Sequence, residues 1–179
     1  MRSMRIAALA AAFAVLPLAV GFARGAGGFT WGQQIFDPQL ANLDMQSSLV
    51  GVYGYGVSWR GQRTGGFALA VHSDGATPVV EGGFIGGIAG QEFRRSPFIG
   101  AVNLWAGMGG LTAGRGVPPE GSFAVFGEIT AELGAAFMPG VMLTGYAGLQ
   151  AMSAVSSGEA FFTRVMYTPV IGMRLAWGS

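Results

Sequence analysis

The sequence predicts an all-β protein, an antiparallel up-and-down membrane β-barrel of eight strands that follows a cleaved signal peptide. Three observations predict this fold: apolar and polar residues alternate with period two, charge is scarce, and the connections between the alternating segments form a consistent series. Charged residues make up 11% of the 179 residues, against about 25% in an average soluble domain. So few charged side chains are not enough to cover a water-facing surface.

The N-terminal segment, residues 1–23, has the features of a secretory signal peptide. Arg2 and Arg5 precede an apolar run over residues 6–20, and small residues then offer a cleavage site. The run is short for a membrane span and lacks stop-transfer charges, which favours cleavage over an uncleaved anchor. Cleavage removes two arginines and leaves eight basic against nine acidic residues. This balance implies no nucleic-acid partner.

Residues 122–137 carry the clearest strand pattern. Glu128, Thr130 and Glu132 share one face, apolar residues fill the odd-numbered positions, and Phe126 is the exception. A helix would turn Thr130 away from both glutamates, whereas a strand keeps all three together. The mature chain, residues 24–179, is therefore expected to be a single β domain. It has no cysteine, so hydrogen-bond closure and packing must stabilise it.

Six other segments alternate in the same way, and residues 29–36 can supply an eighth strand. The six cover residues 48–60, 67–73, 79–90, 98–108, 141–153 and 161–177. A membrane barrel turns its apolar face to lipid and its polar face to the lumen, so Tyr53, Phe67 and Phe84 are expected to face lipid. The ionisable residues on the less apolar faces should form a polar network in the lumen. They are Arg60, Glu81, Glu128, Glu132, Arg164 and Arg174.

Connections between the strands should alternate between the two sides of the membrane. Counting back from the C-terminus predicts periplasmic turns at 61–64, 91–97 and 138–140. Outer loops are predicted at 37–46, 74–78, 111–121 and 155–160. The two longest, 37–46 and 111–121, both lie outside, as barrels of this kind prefer, and could contact an extracellular partner. Asp37-Pro38 predicts a short helical turn at the start of the first loop.

The chain resembles the small eight-stranded outer-membrane barrels of the OmpX, OmpW and OmpA transmembrane-domain families. The resemblance covers the mature chain in pattern, and its most specific part is the C-terminal end. Ile171, Met173, Leu175 and Trp177 look like the alternating signal, closed by an aromatic residue, that the barrel-assembly machinery reads. The resemblance implies an outer-membrane location, with contacts to outer-membrane lipids and to that machinery. Members of these families differ in role, so no functional residue is carried over.

No residue pattern predicts an enzyme, a cofactor or a metal site. Glu128 and Glu132 could form an acid–base pair, but a structural ion-pair network is favoured because side chains fill so narrow a barrel and buried charges must be paired. His72 and Ser73 would point to opposite faces of a strand, and one histidine with scattered carboxylates is a poor metal site. Arg94 and Arg95 fit two solvated turn residues better than a basic patch for lipid headgroups.

We therefore predict an integral outer-membrane barrel with a structural or loop-mediated interaction role. One alternative is a secreted or periplasmic soluble β-barrel that binds an apolar ligand. The other is an inner-membrane protein with glycine-rich helices over 98–114 and 123–151.

Overall fold

The computed structural model describes residues 24–35, 46–74, 79–114, 120–155 and 165–178. These residues form eight strands: β1 (Arg24–Ile35), β2 (Gln46–Val57), β3 (Gln62–Asp74), β4 (Val79–Arg95), β5 (Phe98–Gly114), β6 (Glu120–Met138), β7 (Val141–Val155) and β8 (Met166–Gly178). Each strand is antiparallel to the next, and β1 also pairs with β8. The described chain is therefore a closed up-and-down barrel, and the predicted fold class is confirmed. The predicted signal peptide (1–23) and the helical turn at Asp37-Pro38 lie outside the described residues.

The two ends of the barrel differ. One end, here called the turn end, carries the start of β1, the end of β8 and the short connections at 58–61, 96–97 and 139–140. Gly61 and Gly140 adopt φ values of +81° and +76° in two of these turns, where a residue with a Cβ would be strained. At the opposite end, here called the loop end, the strands are connected through residues 36–45, 75–78, 115–119 and 156–165.

The strands are longer than the sequence predicted. β5 runs to Gly114 and β6 starts at Glu120, so the loop predicted over 111–121 is reduced to five residues. The turns predicted at 61–64 and 91–97 are likewise mostly strand. Polar residues suggested turns there, but the ladder continues through them, as the pairs Arg63 with Val57 and Glu92 with Ala101 show.

Among the described residues no helix is long and apolar enough to cross a membrane. Residues 98–114 form β5, and residues 123–151 belong to β6 and β7 with the turn between them. The alternative with glycine-rich spanning helices is therefore wrong.

Bulky side chains are unevenly distributed around the barrel. On β6, β7, β8 and β1 most of the large apolar residues point outward, including Phe29, Trp31, Val125, Ile129, Leu133, Leu143, Leu149, Ile171, Met173, Leu175 and Trp177. On β2, β3 and β4 most of them point into the lumen, namely Leu49, Tyr53, Tyr55, Val57, Phe67, Leu69, Val71, Phe84 and Ile88. β5 does both, with Trp105 inside and Leu104 outside.

The expectation that Tyr53, Phe67 and Phe84 face lipid is therefore wrong. The interior of an eight-stranded barrel has to be filled by side chains. On β2, β3 and β4 the alternate positions are largely glycine and alanine, such as Gly54 and Gly83, which cannot fill it. The bulky face of these strands has to turn inward for that reason.

Candidate functional site

Polar side chains inside the barrel form two clusters separated by aromatic rings. The first cluster, called here the lumen network, consists of Arg24, Arg63, Glu92, Asn103, Glu128, Glu132 and Arg174. It includes charged residues near the turn-end termini of their strands, such as Arg63 and Glu92. Apart from Arg24, every member is at most 6% exposed.

Arg63 on β3 joins two carboxylates of different strands. Its Nε and Nη2 both lie 3.0 Å from Oε2 of Glu92 on β4. Its Nη1 lies 2.8 Å from Oε2 of Glu132 on β6, and its guanidinium carbon lies 4.4 Å from the ring centre of Tyr55. Arg24 on β1 adds a second cation 3.0 Å from the other oxygen of Glu92. The pair of Arg63 with Glu132 and the pair of Arg24 with Glu92 each link strands across the lumen that share no ladder.

Arg174 on β8 is the most enclosed cation of the network. Its Nη2 lies 3.3 Å from Oε1 of Glu128, and its Nη1 pairs with Oε1 of Glu132. Aromatic faces surround the same guanidinium, with ring centres 4.0 Å away at Tyr146 and 4.3 Å away at Trp105. Such cation–π contacts are strongest where water is excluded. Arg174 is thus held by carboxylates and rings together.

The lumen network is balanced in charge and its carboxylates are engaged. Three arginines face three glutamates, and Asn103 donates from Nδ2 to Oε1 of Glu132 at 2.8 Å. Acid–base chemistry needs a carboxyl group within reach of a substrate proton, whereas Glu128 and Glu132 are 4% and 5% exposed and already paired. The arrangement favours a structural role. Within the described ranges no group of three potential metal ligands comes together.

Aromatic rings fill the middle of the lumen. Phe67 packs against Trp105 and Phe126 with ring centres 5.0 and 5.6 Å apart, and Phe126 against Phe84 at 5.2 Å. The tip of Phe67 lies over the glycines of the neighbouring strands, where a Cβ on Gly86 of β4 would come within 2.7 Å of its ring. These contacts close the lumen above the charged network.

The second polar cluster lies towards the loop end and consists of Gln34, Ser47 and Gln150. The Ser47 hydroxyl donates to Oε1 of Gln34, and Nε2 of Gln34 donates to Oε1 of Gln150. All three side chains are at most 2% exposed. They connect β1, β2 and β7 through neutral hydrogen bonds, so they contribute no net charge to the lumen.

The structure brings three of the six predicted network residues together, namely Glu128, Glu132 and Arg174. The placement of Arg60 and Glu81 in the lumen is wrong. Arg60 lies in an exposed turn, 4.4 Å from the ring centre of Trp59, because β2 ends before it. Glu81 points outward and pairs with His72 Nδ1 at 3.3 Å, because it has the opposite parity to the inward-facing Phe84. Arg164 lies outside the described residues.

Sequence reasoning missed Arg24, Arg63, Glu92 and Asn103 as network members, and Arg24 precedes the segment 29–36 that was predicted as the first strand. Arg63 and Glu92 were assigned to turns, although Arg63 has the same parity as Phe67 and Glu92 the same parity as Phe84 and Ile88. Extending the alternation through these positions would have placed both side chains with the bulky face. Asn103 has the same parity as the inward-facing Trp105 of β5, and it was not included in the predicted network.

The predicted assembly signal lies on one face of the closing strand. Ile171, Met173, Leu175 and Trp177 all point outward from β8 and are 38–49% exposed. Trp177 packs edge-on against Phe29 of β1, with ring centres 5.5 Å apart. The four residues therefore form a continuous apolar row at the seam where the barrel closes.

No protein-family model matches the chain, and no curated protein matches it significantly. Among solved structures, the crystal structure of Neisserial surface protein A (NspA) matches with a TM-score of 0.55 and 10% sequence identity. The match covers 87% of this chain and 94% of that one. At such low identity the likeness shows the fold alone, so the described residues have the closed eight-stranded antiparallel architecture of the small outer-membrane barrels.

Proposed function

We propose that the chain is an integral protein of a bacterial outer membrane, with a closed barrel as scaffold and a structural or loop-mediated role. The observation that carries this proposal is the apolar exterior. Ile129, Leu133 and Ile171 are 53%, 77% and 48% exposed on the outward face, and further large apolar residues surround them. Water-soluble proteins rarely expose such a continuous patch, whereas a membrane barrel requires one.

The filled lumen supports a scaffold rather than a pore. Buried rings occupy its middle, and paired charges or hydrogen-bonded amides occupy the regions on either side. The same packing disfavours the soluble alternative, because a barrel that carries an apolar ligand needs an interior cavity for it. The paired state of Glu128 and Glu132 favours a protein without catalytic function.

The turn end is assigned to the periplasm and the loop end to the outside. Barrels of this class have short periplasmic turns and longer outer loops, and the described turns of two to four residues at one end fit this rule. Residues 37–45 and 115–119, within the predicted loops 37–46 and 111–121, are then the candidates for contact with an extracellular partner. The similar structure is that of a surface protein, which is consistent with this orientation.

Two further partners follow from the same proposal. The exterior band would contact outer-membrane lipids, and the row Ile171, Met173, Leu175 and Trp177 would be read by the barrel-assembly machinery before β8 closes against β1. The outward position of all four side chains supports this role.

Cell fractionation with gels of boiled and unboiled samples tests the location. A folded membrane barrel should sediment with the outer membrane and migrate differently before boiling. An epitope inserted within residues 37–45 should react with antibody on intact cells if the loop end faces outward. Recovery of the protein in the soluble periplasm would overturn the membrane proposal, and an epitope accessible only after lysis would reverse the orientation.

A further inference from the structure

Four buried polar atoms on one wall of the lumen have no hydrogen-bond partner among the residues that the structure describes. They are Nε1 of Trp105, Oγ1 of Thr130, Nε2 of Gln150 and Oγ1 of Thr168. All four side chains are at most 2% exposed. An unpaired buried donor or acceptor is costly, so nearly all such groups in folded proteins have a partner, which is often ordered water. These four atoms therefore indicate a binding site.

The four side chains are grouped around Glu128 of β6. Glu128 is paired in the ladder with Trp105 of β5 and with Gln150 of β7, and Gln150 is paired in turn with Thr168 of β8. Thr130 lies two residues from Glu128 on the same inward face of β6. Directly opposed residues of adjacent antiparallel strands have Cβ atoms ~4.5–5.5 Å apart. The unpaired atoms therefore belong to one region of the wall, here called the Glu128 site.

The Glu128 site lies where the two polar clusters of the lumen occupy neighbouring strands. Glu128 belongs to the lumen network, and Gln150 belongs to the second cluster because its Oε1 accepts from Gln34. Although Glu128 and Gln150 are ladder partners, Nε2 of Gln150 does not donate to the carboxylate or to any other described group. A small molecule between them would join the two clusters.

The chemistry of the surrounding groups determines which molecule fits. The indole nitrogen of Trp105 and the amide nitrogen of Gln150 only donate hydrogen bonds, which does not suit a cation. The carboxylate of Glu128 repels an anion and can accept about four hydrogen bonds, one of them from Nη2 of Arg174 at 3.3 Å. The ligand must therefore accept from nitrogen and donate to oxygen. Water does both, is neutral and is small enough for a packed lumen.

We propose that the Glu128 site binds ordered water, which accepts from Trp105 and Gln150 and donates to Glu128 and to the two threonine hydroxyls. The bound water continues the hydrogen bonds of the lumen network into the second polar cluster, alongside the aromatic rings. It satisfies the four unpaired atoms and stabilises the closed lumen. The proposal concerns the interior of the barrel and does not depend on the proposed membrane location.

Nuclear magnetic resonance of the isotope-labelled full chain, refolded in an uncharged detergent, tests the proposal. In the rotating frame, the cross peak of an N–H with bound water has the opposite sign to a cross peak caused by proton exchange with bulk water. The chain has four tryptophans, and their indole signals are assigned by replacing each in turn with phenylalanine. We expect the sign of bound water at Trp105. Trp59, which is 78% exposed, is the control and should show exchange with bulk water.

Replacing Thr130 or Thr168 with valine distinguishes a hydrated hydroxyl from a dry one by the direction of the stability change. Valine has nearly the same shape and lacks the hydroxyl. Removal of a dry, unpaired hydroxyl raises stability, whereas removal of a hydroxyl that binds water leaves that water short of a partner and lowers stability. We expect the urea midpoint of both variants to fall. Thr64→Val removes an exposed hydroxyl and should not lower the midpoint.

Two results would overturn the proposal. The first is a Trp105 signal with no water cross peak, or with the sign of exchange alone, because the site would then be dry or open to bulk water. The second is a midpoint that does not fall in Thr130→Val or in Thr168→Val. Gels of boiled and unboiled samples check that each variant forms the barrel. The resonance experiment uses the wild-type chain, so it decides the proposal even if a valine variant fails to fold.

Discussion

The guanidinium of Arg63 on β3 lies 2.8 Å from Oε2 of Glu132 on β6, although these strands are three positions apart in the ring. Both side chains are at most 5% exposed, so the pair joins opposite walls of the lumen. The sheet ladder links each strand only to its two neighbours. Contacts of this kind therefore fix the cross-section of the barrel in a way that the ladder alone does not.

Replacing Arg63 with methionine should destabilise the barrel strongly. The substitution leaves Arg174 as the remaining described cation beside Glu132, and the partly exposed Arg24 as the remaining described cation beside Glu92. Removal of one partner from a buried ion pair typically costs about 3–5 kcal/mol. The measurement is urea unfolding of the protein refolded in phosphatidylcholine vesicles, followed by tryptophan fluorescence. Arg60→Gln is the control and should stay within ~0.5 kcal/mol of wild type. Equal stability of the two variants would mean that Arg63 does not hold the network together.

Glu128→Ala should also lower stability, because Arg174 would lose the carboxylate 3.3 Å from its Nη2 while remaining buried. We expect a loss of about 2 kcal/mol or more in the same unfolding assay. Glu81→Ala removes a carboxylate of the same kind from the exterior, where its ion pair with His72 is more than half exposed. This control should change stability by less than ~1 kcal/mol. A loss for Glu128→Ala no larger than the control loss would contradict the assignment of a buried ion pair.

The sequence was sufficient to predict the strands, their number and the two faces of each strand. It was not sufficient to predict which face looks inward on β2, β3 and β4. Lipid accepts the small apolar residues at Gly54 or Ala70 as readily as the rings at Tyr53 or Phe67, so hydropathy does not distinguish the two orientations. The volume of the lumen does distinguish the two orientations, but it depends on all eight strands together and not on the sequence of one strand.

The candidate site was predictable to the extent that its charges lie within long alternating runs. Glu128 and Glu132 lie in the middle of β6, where parity is unambiguous. Arg63 and Glu92 lie close to turns, where glycine, arginine and glutamine resemble a connection and strand parity is easily abandoned. Arg60 shows the opposite error. The alternation of β2 was extended to residue 60, although the strand ends at Val57.

Gly172→Ala should destabilise the barrel by about 1–3 kcal/mol, the usual range for an overpacked site. A Cβ at this position would meet the carbonyl oxygen of Trp31 and would come within 2.6 Å of the Tyr146 ring. Tyr146 would have to shift, and its contact with Arg174, whose guanidinium carbon lies 4.0 Å from the ring centre, would change. Gly127→Ala is the matched control, since its Cβ would meet nothing within 4 Å. Similar unfolding curves for the two variants would show that the packing of Tyr146 does not require glycine at position 172.

The wild-type barrel should not conduct ions. Phe67, Trp105 and Phe126 close the middle of the lumen with ring centres 5.0–5.6 Å apart, and eight strands leave little interior beyond what side chains fill. Planar lipid bilayers with the purified protein should show no stepwise currents, while a wide porin in the same apparatus supplies the positive control. Reproducible unit steps from the folded protein would contradict a closed lumen.

Ile129→Arg distinguishes a lipid-facing exterior from a water-facing one by the sign of its effect. Ile129 is the central residue of β6 and is 53% exposed on the outward face. In a bilayer, an arginine at the midplane of a barrel exterior costs about 2–4 kcal/mol, and the cost falls to about 0–1 kcal/mol near the interface. Phe137→Arg, near the turn end of the same strand and 54% exposed, should therefore be much less damaging. If the exterior faced water, both arginines would be tolerated equally and would improve solubility. Unfolding in vesicles measures the difference, and indistinguishable stabilities for the two variants would contradict the membrane assignment.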